Sequence, residues 1–160
     1  MDRLEQHLEE LSTDDRSIVT TRVLNAPRSL VFQAWADPRH LANWWGPKGF
    51  RNTFNTFQFY PQGIWEFTMH GPNGVDYPNK SFFVEIVEPE RIVFDHVSSH
   101  PFRLIASFEE LGEKTKLVFR MVHPTVEESE KAKHYIVQAN EENMDRLESE
   151  LEKIKAERQR

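Results

Sequence analysis

The stretch from Thr125 to about Arg158 constrains this chain most, because it reads as one long helix with a single apolar stripe. Ile136, Met144, Leu147, Leu151 and Ile154 fall at helical spacing, the later steps alternating three and four. Thr125 and Glu128 stand three apart just ahead of that stripe, the pattern of a capping box at a helix start. A helix of roughly thirty residues spans about 45 Å at 1.5 Å of rise per residue. With one greasy face it cannot stand alone. It needs an apolar surface to lie on.

The middle of the chain supplies that surface. From Phe50 to Val122 the hydrophobic period falls to two: Trp65, Phe67 and Met69 alternate with Glu66, Thr68 and His70. Phe82, Val84 and Ile86 alternate with Phe83, Glu85 and Val87, and Ile92, Phe94 and His96 with Val93, Asp95 and Val97. Phe102, Leu104, Ala106 and Phe108, then Leu117, Phe119 and Met121, complete the series. Turn-like breaks at Gly71-Pro72-Asn73-Gly74, Glu88-Pro89-Glu90-Arg91 and Leu111-Gly112-Glu113-Lys114 separate the runs. Short connections between successive strands mean an antiparallel meander, apolar on the face that beds the helix and mixed on the other.

Ahead of the meander, Ser17 to Leu24 is rich in β-branched residues and reads as a first strand. Pro27 suits a helix first turn, and Leu30, Val31, Ala34 and Trp35 give that helix a buried face through Ala36. Asp37-Pro38 opens a second short helix that Gly46-Pro47 breaks, just after Trp44-Trp45. Of these two adjacent tryptophans, one is expected in the core and the other at the mouth of a cavity. Leu4, Leu8 and Leu11 recur at helical spacing among acidic residues, so residues 1–15 are expected to form a helical extension, packed on the rest of the chain or on a second subunit. Residues 16–158 read as one domain, without internal repeat or linker.

Composition narrows the function classes. A formal charge of −6 and a pI near 5.7 disfavour nucleic acid and anionic membranes, which attract basic faces. No cysteine is present, which removes disulfides, thiol chemistry and cysteine metal sites. The first residues hold no apolar signal core and no run reaches membrane-spanning length, so the expectation is a soluble cytoplasmic protein with no membrane insertion.

The order of elements, a strand, two short helices, an antiparallel run and a long terminal helix, resembles the helix-grip fold of the START-related SRPBCC superfamily, an α+β architecture. Asn25-Ala26-Pro27-Arg28-Ser29-Leu30-Val31-Phe32-Gln33-Ala34-Trp35, Asp37-Pro38 and Leu41-Ala42-Asn43-Trp44-Trp45-Gly46-Pro47 are similar to the opening of the family named for the heat-shock-protein-90 ATPase activator homologue. Pro61-Gln62-Gly63-Ile64-Trp65-Glu66-Phe67, Ile86-Val87-Glu88-Pro89-Glu90-Arg91-Ile92-Val93, Lys114-Thr115-Lys116-Leu117 and Met144-Asp145-Arg146-Leu147 match its later landmarks in order. Two positions depart from the family pattern. Gln62 replaces the first of two glycines, and Ala139-Asn140 stands where Gly-Trp is common. Loss of that tryptophan enlarges or polarises the space beneath the helix.

The resemblance implies binding of a small apolar or amphipathic molecule between sheet and terminal helix, with two alternatives: a co-chaperone-like interaction module of the stress response, or a cyclase or lyase using the same cavity. The expected cavity residues are Trp44, Trp45, Trp65, Phe67, Met69, Phe82, Phe94, His96, Phe119, Asn140 and Met144. His96 either orients a ligand's polar group or is simply hydrogen-bonded near its strand end. Asn140, one turn beyond Ile136, either faces inward and needs a partner or lies at the exposed edge of the stripe. Asp95 and His96 are neighbours on a strand and point to opposite faces, which argues against a catalytic dyad. The residues show no phosphate loop, nucleophile elbow or zinc motif, so no catalytic residue, cofactor or metal site is expected. Homodimerisation, through the outer sheet face or the N-terminal helix, is left open.

Overall fold

A computed structural model describes residues 14–159. The expected N-terminal helix therefore lies outside the described residues, apart from a single 3₁₀ turn at Asp14–Arg16. Seven antiparallel strands follow in one curved sheet: β1 (Ser17–Leu24), β2 (Arg51–Phe57), β3 (Ile64–His70), β4 (Asp76–Val87), β5 (Arg91–His96), β6 (Phe102–Leu111) and β7 (Lys114–Val122). Their spatial order is β1-β7-β6-β5-β4-β3-β2, a meander whose last strand returns beside the first. Two helices, α1 (Arg28–Ala36) and α2 (Pro38–Trp44), link β1 to β2, and α3 (Val126–Arg158) ends the chain. This is the helix-grip arrangement that the element order implies.

Local chemistry starts and stops these elements where expected. Thr125 Oγ1 accepts a hydrogen bond from the Glu128 backbone N–H at 3.1 Å, capping α3. Asp37 caps α2 by accepting from the Arg39 N–H at 2.9 Å, with Pro38 in the first turn. The far end of α2 is capped in trans. Arg146 of α3 donates from Nη1 to the carbonyls of Trp45, Gly46 and Pro47 at 2.9–3.0 Å, and from Nη2 to that of Asn43 at 2.9 Å. One guanidinium thus takes up carbonyls that a terminating helix leaves open, and burial without a carboxylate partner pulls its pKa below the ordinary arginine value.

The long helix packs on β1, α2 and α1. Its buried stripe runs through Met144, Leu147, Leu151 and Ile154. Arg22, on the helix side of β1, holds the polar margin, with its guanidinium 2.8–3.1 Å from Glu141, Asp145 and Glu148 on successive turns of α3. Glu150 is buried within the interface and accepts from His40 Nδ1 at 2.8 Å and Asn43 Nδ2 at 3.1 Å. These two hydrogen bonds from α2 offset the burial of the carboxyl group.

The strand pattern departs from strict alternation at one place. The register of β4 on β5 shifts between Phe83 and Glu85, a bulge that reverses the phase of the strand. Ser81 and Phe83 face the core before it and Ile86 faces it afterwards, while Val84 is exposed. Phe82 is consequently turned to the other face, where Lys80 Nζ stands 5.3 Å from its ring centroid. Its expected place in the cavity is corrected on that account.

Candidate functional site

Most of the residues expected to line a cavity instead fill the interior. The backbone leaves the helix after Trp44, and Trp45 is extended at φ −68° and ψ 132°, so both rings turn inward and both are buried. The expectation that one of them walls a cavity mouth does not hold. Trp45 packs edge-on against Trp44 at 5.6 Å and Trp65 at 5.2 Å between centroids, and lies within 6.1 Å of Phe94 and Phe119. Trp65 stacks on Phe67 at 4.5 Å. Met144 closes the same cluster from the helix. Rings at these separations make favourable edge and offset contacts and leave no room for a guest. Met69 sits at the edge of the cluster over Gly46, whose φ of +96° and contact with the Met69 methyl leave no space for a Cβ.

Open space remains further along α3. A cavity of about 310 Å³ lies between its N-terminal turns and the ends of β5, β6 and β7. Phe102, Met121, Ala132 and Ile136 form apolar walls, Tyr135 and the loop through Pro101 stand at the rim, and His96 and His123 are the buried polar groups. Two of the eleven expected residues belong to this end of the interior. His96 lines the cavity directly, and Asn140 adjoins it by donating to the Met121 sulfur at 3.3 Å. Sulfur is a weak acceptor, so this is a modest partner for a buried amide.

His96 is held from one side. Its Nε2 lies 3.2 Å from the Ser99 carbonyl and 3.3 Å from Ser98 Oγ, and its ring stacks on Phe102 at 4.8 Å. Burial pushes its pKa below the ordinary imidazole value, against the Ser99 hydrogen bond and with some help from His100. Asp95 faces away and is bound to Arg103 at 2.7 and 3.0 Å, so the pair is no dyad. His123 follows β7 directly. Its backbone N–H donates to the Arg16 carbonyl at 2.8 Å, and its side-chain Nδ1 is buried beside the Arg16 backbone. Burial lowers its pKa as well, against hydrogen bonding to the Arg16 backbone. Among the described residues no three His, Asp or Glu side chains converge as a metal site.

His123 escaped the sequence reading, although the signal was present. The inward run Leu117, Phe119, Met121 continues one step past the strand end to His123. Ala132 carries no such mark, because small residues on a helix read as neutral.

A larger trough of about 870 Å³ crosses the outer face of β4 to β7, over Val84, Val93, Ile105 and Val118. Ion pairs cross it, Arg91 with Glu85 at 2.6 Å and Arg103 with Asp95, as a solvated sheet face would have. The smaller space is the candidate site, with apolar walls under a helix and few polar groups.

Comparisons agree with this fold. In solved structures, a protein from Arthrobacter aurescens matches at a TM-score of 0.81 with 22% identity over 88% of each chain. One from Nitrosomonas europaea matches at 0.80 and 18% identity, covering 87% of this chain and 96% of the other. One from Mycobacterium smegmatis matches at 0.78 and 20% identity, covering 89% and 94%. No curated protein matches the chain significantly. No helix among the described residues is long and apolar enough to cross a membrane. The profile of one protein family matches residues 25–152, four-fifths of the sequence, and the motifs from Asn25 to Leu147 lie inside that span. The chain therefore belongs to the family described as Activator of Hsp90 ATPase homolog 1-like protein.

Proposed function

We propose that this protein binds a small, largely apolar molecule in the space beneath the N-terminal half of α3. The observation that carries the reading is the cavity of about 310 Å³ walled by Phe102, Met121, Ala132 and Ile136 beside the buried His96 and His123. At about 30 Å³ for each water-sized group, such a space holds about ten non-hydrogen atoms. That is the size of a substituted benzene or a medium-chain alcohol, not of a sterol or a phospholipid. Asn140, in place of the bulky residue common in relatives, sits against Met121 at the inner end of this space, which supports its being open in this chain.

The test is an NMR titration with indole, on the wild type and on Ala132→Phe, which places a ring inside the cavity. Indole is expected to bind the wild type, with shifts confined to the walls, and to lose at least about tenfold in affinity in the variant. Equal affinity for a variant that retains its melting temperature would place the binding elsewhere and sink the reading.

A further inference from the structure

The trough on the outer sheet face has an apolar floor as well as ion pairs. Val84, Val93, Ile105 and Val118 contribute one residue each from β4, β5, β6 and β7. Val93 pairs with Ile105 across β5 and β6, so the floor runs at right angles to the strands. Val84 on that floor is 41% exposed, apolar surface that gains from being covered. Charge lines the trough unevenly, with Arg16, Arg91, Arg103 and Arg120 against Glu85 and Asp95. Among the described residues the Arg16 guanidinium meets the His123 carbonyl at 3.3 Å, which does not cancel its charge.

We propose that residues 2–11 form a short helix that docks across this floor within the same molecule. The described chain starts at Asp14, and Arg16, two residues on, already lines the trough. The three steps from Leu11 to Asp14 reach at most about 10 Å, enough to turn the chain from the trough wall onto its floor. Leu4, Leu8 and Leu11 recur at helical spacing and need an apolar surface. A helix advances about 10 Å over those seven residues, the width of two gaps between strands about 4.8 Å apart. Three leucines therefore fit over three neighbouring strands, Leu11 over Val118, Leu8 over Ile105 and Leu4 over Val93. Asp2, Glu5, Glu9 and Glu10 against a single Arg3 make the segment acidic, opposite in sign to the trough. The start of α3, with the exposed Val126 and Tyr135, is the competing surface, but it opens with Glu127 and Glu128, which repel an acidic segment.

The chain has no cysteine, so Gln6→Cys gives the full-length protein one attachment point for a nitroxide, on the side of the segment away from the leucines. The methyl resonances of Val93, Ile105 and Val118 are expected to lose more intensity than those of Ala132 and Ile136 beneath α3. Adding Leu8→Asp, a change outside the sheet, is expected to restore the outer-face signals. A second sample mixes isotope-labelled protein lacking the nitroxide with unlabelled nitroxide protein, and no broadening is expected there. Outer-face methyls untouched in the first sample, broadening centred on Ala132 and Ile136, or broadening that survives Leu8→Asp would overturn the inference. Broadening in the mixed sample would put a second copy's segment on the trough and overturn docking within one chain. None of these outcomes bears on binding beneath α3.

Discussion

Gln62 is the first place to perturb, because the backbone there favours a residue the chain does not have. It holds φ at +72°, in the left-handed region, within the turn that leads into β3. Its backbone N–H donates to the Phe83 carbonyl at 2.7 Å, and Phe83 returns a bond to the Gly63 carbonyl at 3.0 Å, so β4 holds the turn in that shape. A residue with a Cβ costs about 1–2 kcal/mol in this conformation, while glycine gives back about 0.5–1 kcal/mol through the freedom it has when unfolded. Gln62→Gly, which restores the family pattern, should therefore stabilise the protein by about 0.5–1 kcal/mol. For a chain of this length that raises the melting temperature by about 2–3 °C. The neighbouring position gives the opposite result. A Cβ at Gly63 would run into the backbone carbonyl oxygens of Gln58 and Tyr60, so Gly63→Ala should cost about 2–3 kcal/mol. Scanning calorimetry of both variants is the assay. A Gln62→Gly protein that melts at or below the wild-type temperature would refute the reasoning, because the side chain is exposed and its loss removes no buried contact.

Trp45→Ala should cost about 3–5 kcal/mol in urea unfolding, as expected of a ring inside a packed cluster; a loss under 1 kcal/mol would show that the ring borders open space instead. Arg146→Met removes a donor from four carbonyls, of which Trp45 and Pro47 keep bonds from Asn52 Nδ2 and the Phe50 N–H, and should cost about 1–3 kcal/mol, with Arg146→Lys recovering part of it; equal melting of all three proteins would remove the capping role. His96 and His123 both have folded-state pKa values below the ordinary value of about 6.5, so on acidification the unfolded chain takes up their protons first. Stability from these rings is therefore complete above about pH 7 and is lost as pH falls from there toward the lower folded values. Urea midpoints at pH 8, 7, 6 and 5 should show that fall, and replacing both rings by phenylalanine should flatten it; an unchanged slope in the double variant would contradict the assignment.

What could be read in advance followed from local rules. Thr125 and Glu128, Asp37-Pro38 and the alternation of β3, β5, β6 and β7 act over a few residues, and the structure repeats them. What could not be read needed long-range geometry. Phe82, Phe83 and Val84 are apolar at both parities, so no pattern announces the bulge that decides which of them faces in. Trp44 and Trp45 both reach the core because α2 stops between them, held by an arginine a hundred residues away in sequence. Outside β4, alternation was enough to identify which rings face inward, but not whether a gap lies among them. Packing decides that: the helix fills the interior with Met144 and Leu147, and space lies where it offers Ala132 and Ile136.

Native mass spectrometry of freshly purified protein, alone and after addition of 4-ethylphenol, tests the central claim most directly. The account predicts a one-to-one complex in at least the second sample, with any co-purified molecule adding on the order of 150 Da, the mass of about ten non-hydrogen atoms. It also predicts that Ala132→Phe loses the adduct under the same conditions. A bare mass in both samples, or an adduct that Ala132→Phe retains in full, would contradict binding beneath the helix.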